Sequence, residues 1–359
     1  MNKTEFLKKV DILRLILKRY DKKGILVTEF ANLCWLGIKR PNVLALTESV
    51  VVKIEITFDD IFLIANNIEI ERIFDEEICE EIVPFFSKKT FDWYVTDEKI
   101  FEYPQEDYLI DQFIENELKL HRMVMNTSDL QQSIALGKDI VSIIEDILGV
   151  IQKGKTEREI SAQMHQMCVD KNIDVGLALC ATEKRALLYR HPITSNDSIK
   201  DTCLLALTVR RQGIYSCISR MVTLSEPDEE LIKKRNAVLA VDIVAQKYTK
   251  AGIPLNQVFK KMKDTYKIYG FENEWKKHHQ GGITGYKSRE EKVTQDSGIL
   301  IKNNMIFAFN PSVPGYKTED TFFLKNGKPV MTTFSDKLPL IEIEFEGEVY
   351  MKPDLIRLD

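Results

Sequence analysis

The chain has 359 residues, a net charge of −5, 44% hydrophobic and 29% charged residues. That length suits two domains and a core buried without disulfide staples. The acidic balance gives no sign of a nucleic-acid surface, since basic clusters such as Lys8-Lys9 and Lys276-Lys277 are short and mixed with acids.

The opening residues MNKTEFLKKVDILRLILKRY place Leu7, Val10, Leu13, Ile16 and Leu17 at helical spacing. Charged residues lie among the apolar ones, so this is an amphipathic helix and not a signal peptide. No apolar run reaches the ~20 residues that span a bilayer. The expected location is cytoplasmic, with neither membrane nor nucleic acid as partner. GILVT (24–28), NVLALT (42–47) and VVVKIEITFDDIFLIAN (50–66) read as strands, and DEEICEEIVPFF as a helix ended by proline. This mixing predicts a small α/β domain. Residues 104–127 are polar and helical in pattern, and the domain junction is placed there.

Long helices follow. Ser128 with Gln131 reads as a capping box ahead of Ile134, Ile140, Ile143, Ile144 and Ile147. Thr156 with Glu159 opens a second helix, Ser225 and Pro227 a third, and Pro254 a fourth that stops at Gly270. TCLLALTV (202–209) and GIYSCISRMV (213–222) form a hairpin around an Arg-Arg-Gln turn. MIFAFNPSV (305–313) pairs with TEDTFFL (318–324), and Asn326-Gly327 is a tight-turn signal. The second domain is therefore α+β. The cysteines, at 34, 79, 168, 180, 203 and 217, form no C-x-x-C or zinc pattern and read as thiols in apolar settings.

The order of KTEREI, RHPITSND, SCISRMV with SEPDEEL, HHQGG, FNPS and KTEDTFFL resembles the creatinase/Xaa-Pro aminopeptidase family, which includes prolidases and methionine aminopeptidases. ILVTEFANLCWLGI and ANNIEIERI resemble its N-terminal domain. The resemblance implies an α+β C-terminal pita-bread domain (127–335) with an α/β creatinase-like N-terminal domain (1–126), and leaves 336–359 as a C-terminal extension. It also implies a homodimer; Trp35 suits either an interface or the core.

Most family enzymes hold two divalent metals with two Asp, one His and two Glu. Matched residue by residue, those positions carry Ala206, Cys217, His279 (with His278 as the alternative), Asn310 and Glu319. One carboxylate remains where four would neutralise two dications, so a dinuclear centre is not expected, nor any metal or other cofactor. A single zinc on Cys217, His279 and Glu319 is chemically allowed. His191 matches the histidine that in creatinase, a metal-free relative, acts as general acid/base; a hydrogen bond to a loop carbonyl is the alternative reading.

In the double histidine, Gly281, Gly282 and Gly285 allow positive φ or close approach, and one imidazole is expected in the cavity. Glu319 beside it would raise its pKa. Cys217 is a nucleophile only if His279 is within reach, and an apolar replacement otherwise. Arg210 and Arg211 are expected to be solvated at the hairpin tip. Arg220, facing away from Cys217, is expected in a structural ion pair. His165 reads as structural or exposed, and His121 has no role.

The expected function is a divergent, metal-independent C–N hydrolase acting on a small peptide-like, amino-acid-derived or amidino ligand. His191, His279 and Glu319 would be catalytic, and His278, Cys217 and Asn310 would bind substrate. The alternative is a non-catalytic pseudo-peptidase serving as a binding module.

Overall fold

A computed structural model describes residues 1–44, 47–96 and 101–358. These fall into two compact units. One comprises residues 1–129 with the turn 212–214; the other comprises 130–211 and 215–359.

The first unit opens with α1 (Lys3–Tyr20), capped by a reciprocal Asn2–Glu5 box, which buries Val10, Leu13, Ile16 and Leu17. It continues through β1 (Gly24–Val27), α2 (Phe30–Trp35), β2 (Val52–Thr57), β3 (Ile61–Asn66), α3 (Ile70–Arg72), β4 (Ser87–Phe91), β5 (Tyr108–Ile110) and α4 (Glu115–Arg122). The strands make one sheet in the order β4-β3-β2-β1-β5. Trp35 is 3% exposed and belongs to the core.

Three sequence expectations fail in this unit. Residues 108–110, read as helical within 104–127, form strand β5 beside β1. Residues 42–44 and 47 are not strand; Val43 and Leu44 are exposed, and positions 45 and 46 lie outside the described residues. The helix expected at 75–86 lies earlier, as α3 running into one π-helical turn at Ile73–Glu77. Pro84 sits in a separate 3₁₀ turn, where a missing N–H costs nothing.

The second unit contains α5 (Thr127–Leu148), α6 (Glu157–Asp170), β6 (Asp174–Thr182), α7 (Glu183–Leu188), β7 (Thr202–Arg211), β8 (Ile214–Thr223), α8 (Glu229–Tyr248) and α9 (Leu255–Ile268). Then come β9 (Gly281–Thr284), β10 (Glu291–Lys292), β11 (Ile306–Phe309), β12 (Ser312–Val313), β13 (Tyr316–Lys317), β14 (Asp320–Lys325) and β15 (Lys328–Met331). A tail of β16 (Leu340–Phe345), β17 (Glu348–Pro353) and β18 (Ile356–Arg357) follows.

Two sheets dominate, in the orders β18-β8-β7-β6 and β10-β9-β11-β14-β15. Leu136, Ile140, Ile144 and Ile147 of α5 and Met164 of α6 share one core with Leu205, Leu207, Ile218 and Val222 of the first sheet. Each such side chain contributes roughly 1.5–3 kcal/mol by leaving water. The Thr156–Glu159 capping box forms as expected. At α5 the box is different: Asn126 Oδ1 accepts from Asp129 N–H at 2.8 Å, and Asp129 accepts from Asn126 N–H. A side chain two residues earlier, Asn126, outcompetes the expected Ser128.

The β7–β8 hairpin also differs from expectation. Both arginines lie within β7, and Gln212-Gly213 make the turn with φ of 49° and 84°. Arg210 is buried near Asp174 at 3.5 Å, and Arg211 bonds Asp139 at 2.7 Å, so neither is a solvated tip. Arg220 forms the expected buried ion pair, with Asp320 at 2.7 Å.

The glycine pair after the histidines is a packing requirement. Gly281 and Gly282 have φ of 83° and 146°. A Cβ on Gly281 would lie 2.1 Å from the Ala308 carbonyl oxygen, and one on Gly282 2.1 Å from that of Glu291. Gly281→Ala should therefore cost about 3 kcal/mol from overpacking plus backbone strain. Gly327→Ala has a positive φ but nothing within 4 Å, and should cost only about 1 kcal/mol. Urea unfolding of the two variants checks this; equal losses would contradict the close-packing account.

Candidate functional site

Two clusters of side chains meet in the second unit. The first is ionic. Glu319, just before β14, is held against β8 by the Ser219–Glu319 bridge, with Ser219 N–H donating to its carbonyl at 3.0 Å. Its carboxylate takes a 2.6 Å bond from Arg289 Nη2, a 3.2 Å bond from Ser219 Oγ, and has Lys317 Nζ at 3.5 Å. Arg289 Nη1 lies 3.3 Å from Cys217 Sγ on β8. Burial alone would raise the Glu319 pKa, but Lys317 and Arg289 bring it below the ordinary carboxylate value.

Cys217 is fully buried, and burial pushes its thiol up, against the opposing pull of Arg289. Its hydrogen-bonding neighbours are Arg289 and Thr208 Oγ1, at 3.6 Å, and not an imidazole. The apolar setting expected of it is thus incomplete, and the base that a nucleophilic thiolate needs is not among these partners. Ala206 is buried on β7 with no ligand atom to offer. Asn310 is buried too, and its Oδ1 has no donor among the described residues.

The second cluster is three imidazoles. His191 comes from the loop after α7; His278 and His279 lie between the 3₁₀ turn Glu274–Lys276 and β9. His191 Nε2 and His278 Nε2 are 3.1 Å apart, so one ring donates to the other. His278 Nδ1 is 3.4 Å from Ser312 Oγ, and His279 Nδ1 accepts from Gly281 N–H at 3.3 Å. The candidate metal-binding atoms of all three rings lie within 4.8 Å of one another.

All three rings are held below the usual imidazole pKa. Burial does most of this, followed by Lys317 for His191 and His278 and by Arg289 for His279, which falls to about 4. Glu319 acts in the opposite direction on His191 and His279, as the sequence suggests, but is outweighed. His278 and His279 also line a cavity of about 540 Å³, together with Phe259, Trp275, Gln280 and Val293.

Of the residues singled out from sequence, the structure gathers Cys217 with Glu319, and His191 with His278 and His279. His165 is exposed and bonds its own helix at the Ser161 carbonyl. Arg289 and Lys317 were missed. Each is one charge among many in the sequence; the only pointer to them was that a buried lone carboxylate needs a cation.

A model of metallopeptidase family M24 matches residues 136–346. The chain belongs to metallopeptidase family M24. The pita-bread fold with an N-terminal domain agrees with solved structures. The Pyrococcus horikoshii prolidase has a TM-score of 0.75 at 16% identity, over 92% of this chain and 99% of that one. The Thermococcus sibiricus prolidase has a TM-score of 0.76 at 17% identity, over 98% and 99%. The N-terminal domain of the FACT complex subunit SPT16 from chickpea has a TM-score of 0.65 at 11% identity, over 92% and 94%. No curated protein matches this M24 chain in sequence. No helix among its described residues is long and apolar enough to cross a membrane.

The residues at the five matched metal positions do not fit a pair of dications. Ala206 has no donor, Asn310 is neutral, Cys217 is a buried thiol, and Glu319 is already paired with a guanidinium. Arg289→Met should destabilise the chain by roughly 3–5 kcal/mol, because Glu319 loses its best counter-charge inside the protein. Arg289→Met combined with Glu319→Met should regain most of that loss in urea unfolding. The pH dependence follows from the lowered Glu319 pKa: the pair stabilises above 4.5, the ordinary value, and that stability is lost as pH falls through the folded value. Glu319→Gln should flatten this acid limb.

Proposed function

We propose that this M24 chain is a metal-independent member of its family, a C–N hydrolase acting on a small peptide-like or amidino ligand. The observation that carries the reading is the Arg289 guanidinium bonded to Glu319 and in contact with Cys217. It puts a fixed positive charge beside the carboxylate and thiol at two of the five matched positions. Arg289 and Lys317 together outweigh Glu319, so the site favours an anionic group on the ligand. The cavity beside His278 and His279 offers an aromatic wall in Phe259 and Trp275 for the ligand's apolar part.

His191 supplies proton transfer in this reading. It sits on an accessible loop, and His278 orients it through the Nε2–Nε2 contact. His279 and Glu319 position ligand or water, and Asn310 Oδ1 offers an acceptor not used by the described residues. A cytoplasmic homodimer belongs to the same reading.

A second reading has one observation in its favour: the chickpea SPT16 domain, described as part of a complex subunit, shares this fold. On that reading the cavity binds without turnover.

A panel of dipeptides and amidino acids, assayed in the presence of a chelator, tests the proposal. Turnover should survive chelation and should not be stimulated by manganese or cobalt. His191→Gln should lower kcat by roughly 100-fold or more, while ligand affinity by calorimetry changes little. Binding without turnover selects the second reading. Two ions bound at Glu319, with manganese-dependent Xaa-Pro cleavage, would overturn both.

A further inference from the structure

The geometry points to a binding site for one transition-metal ion of the zinc, cobalt or nickel kind, formed by His191, His278 and His279. Two nitrogens bound to a tetrahedral ion at ~2.0–2.1 Å lie about 3.3 Å apart. His191 Nε2 and His278 Nε2 are already 3.1 Å apart. At that distance their two lone pairs require something between them. In the metal-free protein it is the shared proton; an ion can take its place with a shift of a few tenths of an ångström.

The surroundings suit this exchange. With its Nε2 on the ion, His278 keeps its proton on Nδ1, which faces Ser312 Oγ at 3.4 Å. The Ser312 backbone N–H donates to Tyr266 Oη at 2.9 Å, and Tyr266 Oη donates to Gln280 Oε1 at 2.8 Å. Gln280 Nε2 donates in turn to the His278 carbonyl at 2.7 Å. The ring is therefore held from both sides. His279 joins by giving up its long contact with Gly281 N–H. Burial keeps the rings in the unprotonated form that binds metal.

The donor set also selects the ion. Calcium and magnesium need oxygen ligands, and the carboxylate whose charge acts on His191 and His279, Glu319, is committed to Arg289 and Lys317. Neutral imidazoles suit zinc, cobalt and nickel, and three of them leave one coordination position open. Only one of the three, His279 or its alternative His278, belongs to the five matched metal positions, so this is a different site from the dinuclear one. Its occupation would replace the Nε2–Nε2 contact that orients His191 for proton transfer and so act as an inhibitor. Metal binding itself is independent of any turnover.

The test uses the full chain stripped with chelator. Zinc is titrated by calorimetry, and cobalt is followed by the visible bands of a tetrahedral ion. One ion per chain is expected. His191→Gln and His278→Gln should each weaken zinc about tenfold or more, while Cys217→Ser should leave it within about threefold. His191 lies on an exposed loop, so its variant stays informative if the His278 variant misfolds. Absence of stoichiometric binding, or binding lost in Cys217→Ser but kept in His191→Gln, overturns the proposal. Because no substrate is used, this result can fail while the hydrolase reading stands, and the reverse.

Discussion

The Arg289–Glu319 pair is the constraint on which the rest of the site depends. A carboxylate this deeply buried keeps its charge only beside a cation. Here the cation is a guanidinium, covalently part of the chain, with Lys317 in support. This leaves the first cluster with a surplus of one positive charge, and that surplus reaches the neighbouring imidazoles, adding to the effect of burial on all three. One ion pair thus fixes the protonation of its own carboxylate and influences the proton affinity of the rings beside it.

The M24 fold supplies the scaffold for both clusters but does not dictate their chemistry. Cys217 and Glu319 meet because β8 and the entry to β14 are bridged at Ser219. His278 and His279 are fixed because Gly281 and Gly282 let β9 run tightly between β10 and β11. Both devices are backbone geometry, independent of which side chains occupy the ends. The same framework can therefore carry different side chains at these positions without changing its backbone.

Much of this was legible in the sequence. The two strands within 202–222, the Asn326-Gly327 turn and the Thr156–Glu159 box are local signals with local causes, and they form as read apart from the position of the β7–β8 turn. What could not be read was long-range. Arg289 lies in a loop 30 residues before Glu319, with nothing local to distinguish it from a surface charge. Arg210 and Arg211 look like a turn because the signal of Gln212-Gly213 is weaker than an Asn-Gly pair. Ser128 loses its cap to Asn126, a competition that sequence pattern alone does not decide. The strand expected at 42–47 fails at Val43 and Leu44, whose apolar character satisfies strand propensity without finding a sheet to join.

The tail brings the chain back to the sheet that holds Cys217. β18 lies parallel to β8, pairing Ile356 with Val222, while Lys352 of β17 forms a 2.5 Å buried ion pair with Asp242 of α8. The backbone amides and carbonyls at that end of β8 are consequently already engaged by Ile356 and Arg357 of the same chain. A foreign strand seeking to add itself there would first have to displace a partner tethered at effectively high local concentration, so the rim of the sheet is shielded against unwanted self-association.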